Sequence, residues 1–218
     1  VIYGANGVYD PTIQRWDGTS GKITWEKVGL KQDQTFATIK KHQISMKNTN
    51  VNIDSVVLKT PLMNEPLQGT LSERAFKISR EEDRVYPQFI SYNSNVKINN
   101  IKPNVNYEGS FSLRGANFVG IGVKNNLAKI TIIKNGKPFV TSRSAEVIIS
   151  DAKIFCSASR NNITLNTGDS IIHPSANFTY LLKDQTLEFA RYSSGLGQAP
   201  FSDSYHKLDY YVPKIIIN

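Results

Sequence analysis

Apolar and polar residues alternate with a period of two along most of the chain, and turn-forming clusters break the alternation every 8 to 12 residues. Side chains on a strand point alternately to opposite faces, so the pattern predicts half-buried antiparallel strands joined by short turns. The clearest instance is "ITIIKNGKPFVTSRSAEVII", residues 130–149, where Asn135-Gly136 separates two β-branched and aromatic runs. Both central positions of a two-residue hairpin take positive φ, which Asn and Gly tolerate. Strands at about 129–134 and 137–142 are therefore predicted to pair across it.

The same reasoning places a second hairpin in "NFTYLLKDQTLEFARY", turning at Lys183-Asp184-Gln185, and a turn at Pro103-Asn104 after "NVKINNI". "NITLNTGDSIIHP" reads as strand, Thr-Gly-Asp turn and a strand ended by Pro174, with His173 as a turn residue. "IQRW", then Asp17-Gly18-Thr19-Ser20-Gly21, then "KITWEKV" reads as a hairpin with a longer loop, flanked by Trp16 and Trp25. Only "LKQDQTFATIKK" spaces its apolar residues as a helix does. Phe36 and Ile39 lie three apart and Asp33 is a candidate cap, so a short helix is predicted over 31–41.

Taken together the elements predict an all-β chain, an antiparallel β-sandwich of jelly-roll or Greek-key type, with a β-solenoid segment as the alternative. The charged run "SREEDR" at 79–84 separates two β-patterned regions. It divides the chain into a small β-rich subdomain with one short helix, 1–80, and a β-sandwich domain, 85–218.

At 218 residues with 39% apolar content, the chain is long enough to bury a core. No apolar run approaches the ~20 residues of a membrane helix, so no transmembrane segment is expected. The chain opens "VIYGANG" without an initiator Met and is expected to be a mature or excised piece of a longer polypeptide. The net charge of +8 favours anionic partners, but Lys and Arg are scattered, with Lys40-Lys41 the one adjacent pair. Without a basic run, a phosphate loop or an RNA-binding aromatic signature, nucleic acid is not an expected partner.

Candidate chemistry is sparse. The single cysteine, Cys156, excludes an internal disulfide and a Cys-based zinc site, and its strand parity with Ile154 makes it a small buried hydrophobe. His42, His173 and His206 are far apart and lack metal-ligand spacing, so neither metal nor cofactor is expected. Strand alternation sends His206 and Asp209 to opposite faces and makes His206 a packed or edge residue. Asp10, Glu26, Glu108, Glu146 and Glu188 are the acids from which a hydrolytic pair would have to come. The aromatics Trp16, Trp25, Tyr205, Tyr210 and Tyr211, with polar neighbours, are the candidate ligand-binding residues, because rings beside hydroxyls and amides suit sugars.

Two long stretches carry a resemblance: "YPQFISYNSNVKINNIKPNVNYEGSFSLRGANFVG" and "GDSIIHPSANFTYLLKDQTLEFARYSSGLGQAPFSDSYHKLDYY". With "EKVGL" and "GTLSERA" in the first half, they resemble segments of large β-rich cell-envelope proteins of Bacteroidota, a group without an established activity. The resemblance implies an envelope or extracellular setting and a longer, repetitive parent. It carries over no functional residue.

The resulting expectation is a non-catalytic β-rich structural or interaction module of a larger secreted or cell-envelope protein. Its expected partners are neighbouring domains or other envelope proteins. The alternative is a carbohydrate-binding module or a glycan-directed hydrolase domain.

Overall fold

The computed structural model describes residues 2–74, 85–122, 126–191 and 199–218. No α-helix occurs among the described residues, and a 3-10 turn at Glu26–Val28 is the nearest approach to one. The helix expected over 31–41 is absent. Lys31–Thr35 makes one turn, closed by the Thr35 N–H on the Lys31 carbonyl at 2.9 Å, and the chain then extends as a strand. Phe36, Thr38 and Ile39 favour a pleated surface, and Ala37 and Ile39, two apart, are buried on one face.

The chain divides into two compact units, residues 1–94 with 111–118, and residues 95–110 with 119–218. The charged segment 79–84, expected as the boundary, lies outside the described residues. In the first unit β1 (Ile2–Asp10), β2 (Arg15–Thr24), β3 (Phe36–Ile39), β4 (His42–Ser45), β5 (Asn50–Lys59), β6 (Leu67–Arg74) and β7 (Gln88–Ser91) follow in order. β8 (Val96–Lys102) and β9 (Val105–Gly109) open the second unit, and β10 (Ser112–Arg114) returns to pair with β7.

Residues 17–21 are strand rather than loop. β2 runs unbroken from Arg15 to Thr24, with β1 on one edge and β3 and β4 on the other. Its glycines serve close approach, since the His42 ring lies against Gly18, and the Ile2 and Ile39 side chains against Gly21. One face of this meander is apolar throughout: Ile23, Ala37, Leu58 and Leu67 stand opposite one another across four strands, and Ile53, Leu71, Phe89 and Leu113 across the next. The sheet curls over that face, so Trp25, fully buried, donates its indole N–H to the Pro87 carbonyl at 3.1 Å.

The remaining strands are β11 (Asn117–Ile121), through which the unit boundary runs, β12 (Ala128–Lys134), β13 (Lys137–Ser144), β14 (Glu146–Ile149), β15 (Lys153–Thr164) and β16 (Ser170–Leu181). β17 (Thr186–Ala190), β18 (Phe201–Asp203), β19 (Leu208–Tyr210) and β20 (Lys214–Ile217) complete the second unit. Asn135-Gly136 forms the expected hairpin turn, with φ of 53° and 74° and Lys134 opposite Lys137. The Lys183–Gln185 and Pro103-Asn104 turns also stand where expected.

β15 and β16 are twelve residues each and serve two ladders. In one, Tyr107, Ile130, Ser142, Asn161 and His173 form a buried row across β9, β12, β13, β15 and β16. In the other, Val147, Cys156, Phe178, Phe189 and Ile215 form a row across β14, β15, β16, β17 and β20. A bulge at Ala158, φ 45°, bends β15 between the two ladders. Backbone groups near the bend find side-chain partners: Ser159 Oγ and Asn161 Nδ2 donate to the Ala176 carbonyl, and Asn177 Oδ1 accepts the Ala158 N–H. Gly120, on the strand paired with β14, lies against the Tyr107 ring of the first ladder.

This is an all-β antiparallel sandwich. Every described ladder is antiparallel, which sets aside the solenoid alternative. With β3 and β4, β7 and β8, β9 and β10, β13 and β14, β17 and β18, and β19 and β20 each taken as one interrupted strand, and apart from the β10–β11 excursion, neighbours in sequence pair, so the connectivity is up-and-down rather than jelly-roll or Greek-key. Pro174 does not end its strand. It falls where the β15–β16 register shifts, a position that requires no ladder N–H. His173 is accordingly no turn residue but is 2% exposed within β16.

Candidate functional site

In the second unit a cleft of about 270 Å³ opens between the end of the β12–β13 hairpin and the cross-strand row Tyr180–Leu187–Ile217. Its apolar lining is Ile132, Ile133, Leu187 and Ile217, with the half-buried rings of Phe139 and Tyr180. Its polar lining is four exposed carboxamide residues, Asn104, Asn135, Gln185 and Asn218, together with Lys134.

Three of the carboxamides share a local setting. Asn104, Asn135 and Gln185 sit in the hairpin turns β8–β9, β12–β13 and β16–β17 with φ of 61°, 53° and 52°. Asn tolerates the left-handed region better than other L residues, so turn chemistry accounts for the amides of Asn104 and Asn135; Gln185 takes the same conformation without that preference. The meander then brings all three tips to one end of the sandwich. Lys134 lays its ammonium over the Phe139 ring, 4.9 Å from the centroid, and among the described residues the lining contains no acidic side chain.

The tyrosines singled out from sequence gather elsewhere, around the β18–β19 hairpin. Asp203, whose side chain is 3% exposed, accepts from His206 Nδ1 at 2.8 Å, Tyr210 Oη at 3.0 Å and the Tyr205 and His206 N–H groups. The His206 bond first, then the other donors, pull its pKa down to about 2 against the effect of burial. The same carboxylate pushes the Tyr210 pKa up. His206 is thus an exposed turn residue tied to Asp203, not a packed member of the Leu208–Tyr210 face. The Tyr205 ring stands edge-on to His206 at 4.7 Å, and Tyr211 lies 5.7 Å from the Arg191 guanidinium. Tyr205 and Tyr211 are about half exposed, whereas Tyr210 spends its hydroxyl on Asp203.

Trp16 is half-buried in β2, opposite Tyr9 and Ile44, with its ring against Gly7. Trp25 lies wholly in the core and offers no ring to a ligand, which corrects its place among the ligand-binding candidates.

Four of the five acids considered from sequence have separate partners. Glu108 pairs with Lys129 at 2.5 Å and with Lys97, which lowers its pKa; Glu188 pairs with Lys214; Glu26 accepts from Tyr3 and Thr24; Asp10 accepts the Thr12 N–H. Cys156 is fully buried, and desolvation raises its thiol pKa to about 12, so it behaves as the expected small hydrophobe. Burial lowers the His173 pKa; its Nδ1 accepts the Ser175 N–H, which leaves Nε2–H to donate to the Ala199 carbonyl at 2.9 Å. Among the described residues no three His, Cys, Asp or Glu side chains converge as a metal would require, and no helix is long and apolar enough to cross a membrane.

The chain matches no family model, no curated protein and no solved structure.

Proposed function

We propose that this chain is a non-catalytic β-rich binding module of a larger secreted or cell-envelope protein, and that it engages carbohydrate at the cleft of its second unit. The observation that carries the reading is the lining of that cleft. Two rings supply faces for the C–H side of a sugar, and carboxamides supply paired donors and acceptors for its hydroxyls. Glycoside hydrolysis needs two carboxyl groups roughly 5–9.5 Å apart across the scissile bond. Among the described residues the lining carries no Asp or Glu side chain, which favours binding over turnover.

The test is a glycan array probed with the whole chain, followed by the variants Phe139→Ala and Tyr180→Ala. Each removes a stacking face and is expected to weaken binding about tenfold, on the order of 1–1.5 kcal/mol per ring. The far-ultraviolet circular dichroism spectrum should stay unchanged. Binding that survives both substitutions, or release of reducing sugar abolished by one Asp or Glu substitution, would overturn the reading.

A further inference from the structure

We infer that the saccharide taken by this cleft is anionic, its carboxylate or sulfate group received at the β12–β13 tip by Lys134 and Lys137. The inference rests on the carbohydrate reading above and adds a charge requirement to it.

Three observations support it. Lys134 and Lys137 stand directly opposite each other across the Asn135-Gly136 turn, a position where like charges repel and destabilise a hairpin. Neither has a carboxylate partner among the described residues, whereas Lys129, on the same strand as Lys134, and Lys97, on β8, both pair with Glu108. An incoming anion relieves that repulsion, so the pair has more to gain from a ligand than an isolated surface lysine.

Lys134 is also positioned. Its ammonium sits over the Phe139 ring, 4.9 Å from the centroid, and the residue is part of the cleft lining. A sugar entering beside Phe139 therefore meets that ammonium, while Asn104, Asn135 and Gln185 are available to its hydroxyls. Among the described residues the lining holds no acidic side chain; Lys137 lies outside the lining and stands opposite Lys134, which is part of it. The net charge of +8 acts in the same direction at longer range, by raising the local concentration of polyanions at low salt.

The test compares three oligosaccharides of equal length by isothermal titration: an oligogalacturonate, its fully methyl-esterified form, and a sulfated galactan fragment. The esterified form keeps the sugar and removes the charge. One or both acidic oligomers are expected to bind at least about fivefold more tightly than the ester, and within the Lys134→Gln/Lys137→Gln variant the acidic oligomers and the ester are expected to bind equally. Raising sodium chloride from about 50 to 300 mM should narrow the gap. Preference for the oligogalacturonate alone assigns a carboxylate, and preference for the sulfated fragment alone assigns a sulfate. Equal binding of all three, or a preference that survives the double substitution, overturns the charge requirement and leaves the carbohydrate reading intact. Binding of none overturns both.

Discussion

Asp203 gathers four donors, two backbone N–H groups, the His206 imidazole and the Tyr210 hydroxyl, onto one carboxylate at the base of the β18–β19 hairpin. Its pKa falls from the ordinary 3.8 to about 2, so the native state holds the charged form more firmly than the unfolded chain does. The sign follows from that difference. The contribution is fully present above about pH 4 and is lost as pH falls through 2. Melting temperature measured from pH 6 to 2 should therefore drop more steeply below pH 4 in the native protein than in Asp203→Asn, which should start lower at pH 6. Parallel curves would contradict it. His173 acts in a higher window: burial depresses its pKa, so its contribution is present above about 6.5 and declines as pH falls through the lower folded value. Neither role was legible in sequence. His206 and Asp203 meet through a turn, which strand alternation cannot represent, and Pro174 after His173 imitates a strand end.

At the scale of elements, the hairpins were legible because their turns are made of residues that the geometry demands. Asn135 and Gly136 both carry positive φ, and replacing Gly136 by Val forces a β-branched residue into that region. The substitution should destabilise by about 1–2 kcal/mol, read as a shift in the urea midpoint with an unchanged slope. An unshifted midpoint would show that the turn is not under conformational demand. The misread elements had other causes. Asp17–Gly21 has the composition of a loop, but its glycines answer to the His42, Ile2 and Ile39 side chains that cross it. In 31–41 a helical spacing of Phe36 and Ile39 coincided with a single turn followed by four strand residues. The bends are the least visible elements. Ala158 takes φ 45° with nothing in its own identity to announce it, and it is held there by Asn177, nineteen positions away.

At the scale of the whole chain, the all-β antiparallel class follows from period-two alternation, while the cleft does not follow from any one stretch. Its amides come from three different hairpin tips and from Asn218, and its rings from β13 and β16. Each is ordinary where it stands: a turn Asn, a strand Phe, a strand Tyr. The clustered aromatics drew attention instead, and of these Trp25 is core, Tyr210 is bonded to Asp203, and Trp16, Tyr205 and Tyr211 lie outside the cleft. The central claim, a carbohydrate site at the mouth of the second unit, is tested most directly by nuclear magnetic resonance shift mapping with an oligosaccharide that scores on the array. The account predicts shifts at the Asn104, Asn135 and Gln185 side-chain amides and the Phe139 and Tyr180 rings, with Trp16 and the Tyr205–Tyr211 hairpin unmoved. Shifts concentrated on that hairpin or on Trp16, with the cleft silent, would contradict it.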